Sequence, residues 1–189
     1  MNFMNKAVFF DRDGVIVKNI NGEALTNPKD LELIPNSIPF IKKLQKQGYK
    51  IIVVSNQPDV TLGIIDENTK NALVKKFKEL LYKNNISVDG IYYCFHHPKG
   101  IIKKYAIECN CKKPKPGLLL KAISDHNINP LDSFIIGDRA SDIKAGNLAG
   151  IKTILLDSKN SESTYLLQYN VKPDFTIEKL SEALNIITL

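Results

Sequence analysis

The sequence contains no tryptophan and only three cysteines, and none of its apolar runs approaches the length of a transmembrane helix. An odd number of cysteines argues against a framework of disulfide bonds. The first residues lack the apolar core of a secretory signal peptide, so we expect a cytoplasmic protein that does not associate with membranes. Internal repeats and an interdomain linker are also absent, so we predict one domain over residues 1–189.

Positive charge is in modest excess. The 26 lysine and arginine residues outnumber the 20 acidic residues, which gives a formal net charge of +6 at pH 7. This balance is compatible with nucleic acid or with a phosphorylated small molecule as the ligand. The lysines are scattered along the chain, and aromatic platforms on which bases could stack are lacking. We therefore expect a monomer that binds a small phosphorylated compound and no nucleic acid.

Short apolar runs alternate with segments of helical periodicity along the whole chain. The runs predict strands at 7–10, 51–54, 90–94, 134–136, 152–156 and near 175. The periodic segments predict helices at 36–47, 66–81, 116–127, 141–149 and 177–187. Alternating βα units predict an α/β fold with a doubly wound parallel sheet. Ligands of such sheets bind beyond the carboxyl ends of the strands.

Two carboxylates, Asp11 and Asp13, directly follow the first predicted strand, and Gly14 comes next. In an extended chain, side chains two positions apart lie on the same side. One carboxylate can attack phosphorus, while the other gives a proton to the leaving oxygen and later takes one from water. Two like charges this close also favour a metal cation between them. An Asp-x-Asp-Gly sequence alone is more often an ordinary turn. A catalytic role for these two aspartates therefore depends on the polar residues found elsewhere in the chain.

Polar side chains also lie at the ends of the other predicted strands or before the following helix: Ser55, Asn56, Gln57, Lys112, Lys113, Asp138, Arg139 and Asp142. An acid pair, a hydroxyl, a lysine and a distant acid are the groups that phosphoryl transfer requires. Oxygen ligands favour Mg²⁺ over zinc. Each residue alone has an ordinary alternative, such as a helix cap or a solvated lysine. Their joint occurrence in this order predicts a site for phosphoryl transfer.

All three cysteines lie in one short region together with a histidine: Cys94, His96, Cys109 and Cys111. Three thiolates and one imidazole make a closed tetrahedral site that suits structural zinc, so we predict a zinc-binding loop over residues 94–111. His97 is the alternative to His96 as the histidine ligand. The alternative to a metal site is that the cysteines are free and partly buried. A zinc module that binds nucleic acid is less favoured, because no helix with base-reading residues follows.

The order of these motifs resembles that of the haloacid dehalogenase (HAD) superfamily of phosphohydrolases. Asp11 to Gly14 is similar to its first motif, Ser55 to its second, Lys113 to its third, and the segment from Gly137 to Asp142 to its fourth. The resemblance covers the chain from about residue 6 to residue 156 and implies a Rossmann-like HAD core.

The resemblance also implies a role for each motif residue. Asp11 would be the nucleophile and Asp13 the general acid and base, while Ser55 and Lys113 would hold the transferring phosphoryl group. Mg²⁺ would be held by the Asp11 carboxylate, the Asp13 backbone carbonyl and Asp138. Asp142 would orient this cluster.

Within the superfamily, four stretches are similar to the D-glycero-D-manno-heptose 1,7-bisphosphate 7-phosphatases: 11–16, 55–58, 94–98 and 109–117. The resemblance implies hydrolysis of the 7-phosphate of this sugar, in surface-polysaccharide or nucleotide-activated heptose synthesis. It also implies a pocket shaped by loops, including the zinc loop, and no large cap domain. The alternatives are hydrolysis of histidinol phosphate, of another small ester or of a polynucleotide 3′-phosphate. A binding module without catalytic activity is a further alternative.

The residues expected to bind the substrate are Asn19, Gly22, Asn56, Gln57, Lys112 and Arg139. The segment 19–22 stands where that group has a loop beside the substrate. Leu62 and Lys112 stand where it usually has arginine, and lysine keeps the charge but loses the planar two-pronged donor. We expect Lys112 to contact the second, non-reacting phosphate of a bisphosphate.

Overall fold

Six strands form the centre of the computed structural model, which describes residues 4–19, 23–157 and 166–187. The strands are β1 (Ala7–Phe10), β2 (Lys50–Asn56), β3 (Gly90–Cys94), β4 (Phe134–Gly137), β5 (Lys152–Leu156) and β6 (Phe175–Ile177). All neighbouring strands are parallel, in the order β3-β2-β1-β4-β5-β6. The predicted doubly wound parallel sheet is confirmed.

The helices are α1 (Ser37–Lys46), α2 (Glu67–Lys83), α3 (Gly117–His126), α4 (Ala140–Ala149), α5 (Leu166–Tyr169) and α6 (Ala183–Ile187). Short 3-10 turns lie at Pro28–Asp30, Pro130–Asp132 and Leu180–Glu182. The predicted start of the last helix at Ile177 is wrong. Ile177 still belongs to the sheet, where its carbonyl accepts a hydrogen bond of 2.8 Å from the Asp157 amide, so the helix begins only at Ala183.

Helices cover both faces of the sheet, and β1 shows why. All four residues of β1 are fully buried, and their side chains alternate between two cores. Val8 and Phe10 pack into the core that contains residues of α1, α2 and α6, whereas Ala7 and Phe9 pack into the core that contains residues of α3 and α4. A strand with both faces buried is a rigid base for the residues that follow it.

The site lies where the strand order changes direction. After β1 the chain builds β2 and β3 on one side, then crosses to build β4 on the other side of β1. Phe10, the last residue of β1, pairs with Val53 and with Ile136, and β2 and β4 continue past these partners to Asn56 and Gly137 at the same edge of the sheet. The loops after these three strands therefore converge at one edge, the usual position of a ligand site in such sheets.

A large cap domain is absent from the described residues, in agreement with the prediction. The described parts of the segment between β1 and α1 hold turns, bridges and one 3-10 turn, and only turns connect β2 to α2. In the same described ranges, no helix combines the length and the apolar character needed to cross a membrane.

Candidate active site

A buried lysine lies at the centre of the site. The Lys113 Nζ atom is 2.6 Å from Asp11 Oδ1 and 2.6 Å from Asp142 Oδ1, and it donates a third bond of 2.9 Å to the Val54 carbonyl. Lys113 is only 4% exposed, and both acids are buried as well. Burial alone would lower the pKa of Lys113, but the two carboxylates raise it above its usual value. The ammonium group therefore stays charged beside Asp11.

Asp138 completes an acidic cluster that carries more negative charge than Lys113 balances. Carboxylate oxygens of Asp11, Asp138 and Asp142 lie within 4.8 Å of one another, and Asp138 Oδ1 is buried without a hydrogen-bond partner. Burial raises the pKa of Asp138 to about 8, and the Asp11 charge adds to this effect. Burial also raises the pKa of Asp11 to about 6, although Lys113 opposes it. These oxygens fit a small divalent cation.

Two glycines let the acids approach the backbone. Gly14 has a φ of +83°, and a Cβ atom there would lie 2.1 Å from Asp138 Oδ2. At Gly137, a Cβ atom would lie 2.3 Å from the Cβ of Asp142. Both distances are far inside van der Waals contact, so any larger residue would displace a carboxylate of the cluster.

Asn56 fixes the position of Lys113 through the backbone. Its side-chain amide donates to the Lys113 carbonyl at 2.9 Å and accepts from the Lys113 amide at 3.0 Å. Asn56 was expected to bind substrate, and it does line the cavity described below. Its two polar side-chain atoms are nevertheless already engaged by Lys113.

The carboxylate of Asp13 is held by Arg12 and Gln57. Arg12 donates to Asp13 Oδ1 from Nε at 3.0 Å and from Nη2 at 2.8 Å, while Gln57 Nε2 donates to Asp13 Oδ2 at 2.6 Å. Ser55 is fully buried, and its hydroxyl accepts a bond of 3.0 Å from the same Gln57 nitrogen. Sequence reasoning missed this role of Arg12, although the residue lies inside the first motif.

A polar cavity of about 190 Å³ opens beside these groups. The expected site residues that line it are Asp11, Asp13, Asn19, Asn56, Gln57, Lys113, Arg139 and Asp142. Ser55 and Asp138 are buried next to it, and Gly22 lies outside the described residues. Arg12, Lys18, Asp59 and Ser141 line the cavity without having been expected there. Only nearness to a motif could have identified Arg12 and Ser141.

Lys112 lines a neighbouring cavity of about 460 Å³ rather than the first one. Lys113 contributes to the walls of both cavities. The larger cavity is also lined by Lys99, Lys115 and Glu108, so lysines outnumber acids among its charged lining residues. Burial lowers the pKa of Lys112. Of these two adjacent lysines, Lys113 thus lines both cavities and Lys112 lines the larger one.

The predicted zinc ligands come together in space. Cys111 Sγ lies 3.1 Å from Cys94 Sγ and 3.1 Å from His96 Nδ1, and Cys109 Sγ lies 3.7 Å from Cys94 Sγ. None of these thiols forms a disulfide. His97 is directed elsewhere, since its Nδ1 accepts a bond from the Lys99 amide at 3.2 Å. Three sulfurs and one imidazole nitrogen, all within 4.8 Å of one another, fit a tetrahedral metal ion such as zinc.

This cysteine cluster is connected to the active-site residues by the backbone. The Cys94 carbonyl accepts a bond of 2.7 Å from the Gln57 amide, and Cys111 precedes Lys113 by two positions. The loop also packs closely against the start of α3, because a Cβ atom at Gly117 would lie 2.3 Å from the Asn110 carbonyl oxygen. A metal ion in the cluster would therefore join the end of β3 to the segment that carries Lys113.

The fold and this cluster of acids and lysine define a hydrolase of the HAD class. The HAD-hydrolase-like family matches residues 110–183. The chain is also similar over nearly its whole length to solved structures of this class. A HAD-like phosphatase of Mesorhizobium loti is 26% identical with a TM-score of 0.81, and the match covers 98% of this chain and 85% of that one.

Curated relatives identify the family within that class. The chain is 38% identical to the D-glycero-beta-D-manno-heptose-1,7-bisphosphate 7-phosphatase of Pasteurella multocida, over 81% of this chain and 82% of that protein. It is 35% identical to the corresponding alpha-heptose enzyme of Photorhabdus laumondii, over 94% of this chain and 97% of that protein. The chain belongs to the family of heptose-1,7-bisphosphate 7-phosphatases, and the expectation of a HAD-type phosphatase is confirmed.

A solved structure of the same family agrees with the fold. The D,D-heptose 1,7-bisphosphate phosphatase of B. bronchiseptica, complexed with magnesium and phosphate, has a TM-score of 0.79 at 23% identity. The match covers 97% of this chain and 98% of that one.

The Gly14 contact predicts a difference between two glycines with similar backbone angles. Gly14 and Gly48 have φ values of +83° and +80°, but nothing lies within 4 Å of a Cβ atom at Gly48. Gly48→Ala should lose only about 1–2 kcal/mol of stability and keep its turnover. Gly14→Ala should lose turnover by about 100-fold or more, because it displaces Asp138. Phosphate release and thermal melting measure both effects. Equal turnover of the two variants would contradict the close-approach argument.

Proposed function

We propose that this protein hydrolyses the 7-phosphate of D-glycero-D-manno-heptose 1,7-bisphosphate through a phosphoryl group transiently bonded to Asp11. The observation that carries this proposal is the Asp11 carboxylate held against buried Lys113 at the carboxyl end of β1, beside a polar cavity. The names of the relatives supply the sugar. No observation favours histidinol phosphate or a polynucleotide end as the substrate.

The chemistry divides between the two motif aspartates. A carboxylate oxygen of Asp11 attacks phosphorus while Asp13 gives a proton to the leaving sugar oxygen. Asp13 then takes a proton from the water that releases phosphate. Lys113 balances the charge of the transferring group, and the buried Ser55 hydroxyl helps to hold it. Arg139 and Asn19 contribute to substrate binding from the walls of the cavity.

Magnesium is the cation that we assign to the acidic cluster. The carboxylates of Asp11 and Asp138 and the backbone carbonyl of Asp13 would hold it, with Asp142 orienting the group. The buried, unpartnered oxygen of Asp138 supports this assignment. Bound there, Mg²⁺ would stabilise negative charge on the phosphoryl oxygens.

Zinc is the metal that we assign to the cysteine cluster, as a structural ion. Thiolates are soft ligands that suit zinc, and four protein ligands leave no position for a reacting water. Burial raises the pKa of the Cys94 and Cys111 thiols in the absence of a cation, so metal binding must release protons. The structural link between this cluster and Lys113 supports a role in shaping the active site.

Four expectations from the sequence remain predictions. They are the single domain over residues 1–189, the monomeric state, the lack of a nucleic acid partner, and the cytoplasmic location. Gel filtration with light scattering would test the monomer directly.

Asp11→Asn should abolish turnover and leave the fold intact. Asparagine keeps the shape of the side chain but lacks the nucleophilic oxygen and the negative charge. Phosphate release from the heptose bisphosphate and a melting curve are the two measurements. Normal Mg²⁺-dependent release by the pure variant would exclude Asp11 as the nucleophile.

Freshly purified, reduced protein should contain close to one zinc ion per chain without added metal. Elemental analysis of the wild type and of Cys109→Ser tests this, because the variant removes one thiolate and should lose most of the metal. His97→Ala is the matched control, since His97 lies outside the cluster and should leave the zinc content unchanged. Wild-type protein that contains no zinc would contradict this assignment and indicate that the three cysteines are free thiols.

Lys112→Ala should weaken catalysis far more on a sugar bisphosphate than on a monophosphate such as histidinol phosphate. Loss of a charged contact between Lys112 and the second phosphate amounts to on the order of 2–3 kcal/mol, about a 30- to 150-fold loss of kcat/KM. Lys113→Ala should depress turnover on every substrate. Lys103→Ala, an exposed lysine of the same loop, is the control. Similar losses on both substrate types would mean that Lys112 does not contact the second phosphate.

A further inference from the structure

Both oxygens of the Asp13 carboxylate are already bonded before any substrate is present. Oδ1 accepts two hydrogen bonds from the Arg12 guanidinium, at 3.0 and 2.8 Å. Oδ2 accepts one, from Gln57 Nε2 at 2.6 Å. Both lone pairs of Oδ1 accept hydrogen bonds from the charged Arg12 guanidinium. Oδ2 accepts only one hydrogen bond, so it is the oxygen that can exchange a proton with a substrate.

The orientation of the Gln57 amide is itself fixed. Its Oε1 accepts a bond of 2.8 Å from Arg12 Nη2, and its Nε2 donates both to Asp13 and to Ser55 Oγ. A reversed amide would place two donors against each other at Arg12 and two acceptors against each other at Asp13. The Gln57 backbone amide is anchored to the Cys94 carbonyl at 2.7 Å. Gln57 therefore has one favourable arrangement in this network.

Arg12 is well placed to enforce that arrangement. It is only 2% exposed, and its guanidinium carbon lies 6.0 Å from the centre of the Tyr93 ring. An arginine that is buried near an aromatic ring and bonded to two partners has little freedom to move. Arg12, Gln57 and Asp13 all line the cavity that the substrate would enter, but only Gln57 and Asp13 are partly exposed there.

We propose that Gln57 is a positioning residue that aims Asp13 Oδ2 at the leaving oxygen of the ester. The inference rests on the proposed function. In the first step, an Asp11 oxygen bonds to phosphorus and the bond from phosphorus to the ester oxygen breaks. That oxygen keeps the electron pair and receives the proton from Asp13. In the second step, water oxygen bonds to phosphorus, the Asp11–phosphorus bond breaks, and Asp13 takes a proton from the water.

The leaving group separates this role from a purely structural one. A sugar alkoxide is a poor leaving group and needs a proton as it departs, whereas 4-nitrophenolate is stable as an anion and does not. If Asp13 Oδ2 no longer points at the leaving oxygen, hydrolysis of the sugar ester should slow, whereas hydrolysis of the nitrophenyl ester should change little. General misfolding of the site would affect both. The ratio kcat/KM reports on substrate binding and the first chemical step, and the later hydrolysis of the intermediate, which both esters share, does not enter it.

The experiment measures kcat/KM of wild type and Gln57→Leu on the heptose bisphosphate and on 4-nitrophenyl phosphate. The kcat/KM of Gln57→Leu should fall by about 10- to 100-fold on the heptose bisphosphate and by less than about threefold on the nitrophenyl ester. Gln57→Met is a second variant of similar volume, to be used if leucine destabilises the fold. Gln45→Leu is the matched control, because Gln45 donates one bond to the Ser87 carbonyl on the exposed surface near the opposite end of the sheet.

Equal losses of Gln57→Leu on both esters, or no loss on either, would overturn the positioning role. A wild-type protein that releases no phosphate from either ester would instead contradict the proposed function. The two failures are therefore distinguishable.

Discussion

The rest of the site depends on one buried interaction, the ammonium group of Lys113 held between Asp11 and Asp142. These three charges come from three segments: the loop after β1, the segment between Cys111 and α3, and the first turn of α4. Breaking a buried ion pair by removing one partner typically costs about 3–5 kcal/mol, because the remaining charge is left uncompensated. The same arrangement that supplies chemistry therefore also ties the three loops together.

The environment of Lys113 explains how the site stays ordered although the described residues include no large cap domain. Asn56 binds the Lys113 backbone on one side, and the cysteine cluster restrains the chain two residues earlier. Gln57 is anchored to Cys94, a member of that same cluster. Through these links, the end of β2, the end of β3 and the segment before α3 form one connected support, which leaves the nearby cavities open to solvent for a substrate.

Much of this arrangement could be predicted because parallel sheets bring strand ends together. Asp11, Asp138 and Asp142 follow strands with strong apolar patterns, and the cysteines are identified by their rarity and spacing. The hydrogen bonds of Arg12 and Gln57 could not be predicted, since they depend on side-chain orientations that no periodicity encodes. The sequence also could not predict that Lys113 lines both cavities whereas Lys112 lines the larger of the two, since this depends on side-chain orientation. The last helix begins late because pairing of Ile177 with the sheet overrides its helical pattern.

The most direct test of the account is to trap the phosphorylated enzyme. Wild-type protein mixed with the heptose bisphosphate and Mg²⁺, then quenched in acid within the first turnover, can be digested and analysed by mass spectrometry. The account predicts one added phosphoryl group on the peptide that contains Asp11, lost again on treatment with hydroxylamine, and no such group in Asp11→Asn. A phosphoryl group on another residue, or rapid turnover by Asp11→Asn, would contradict it.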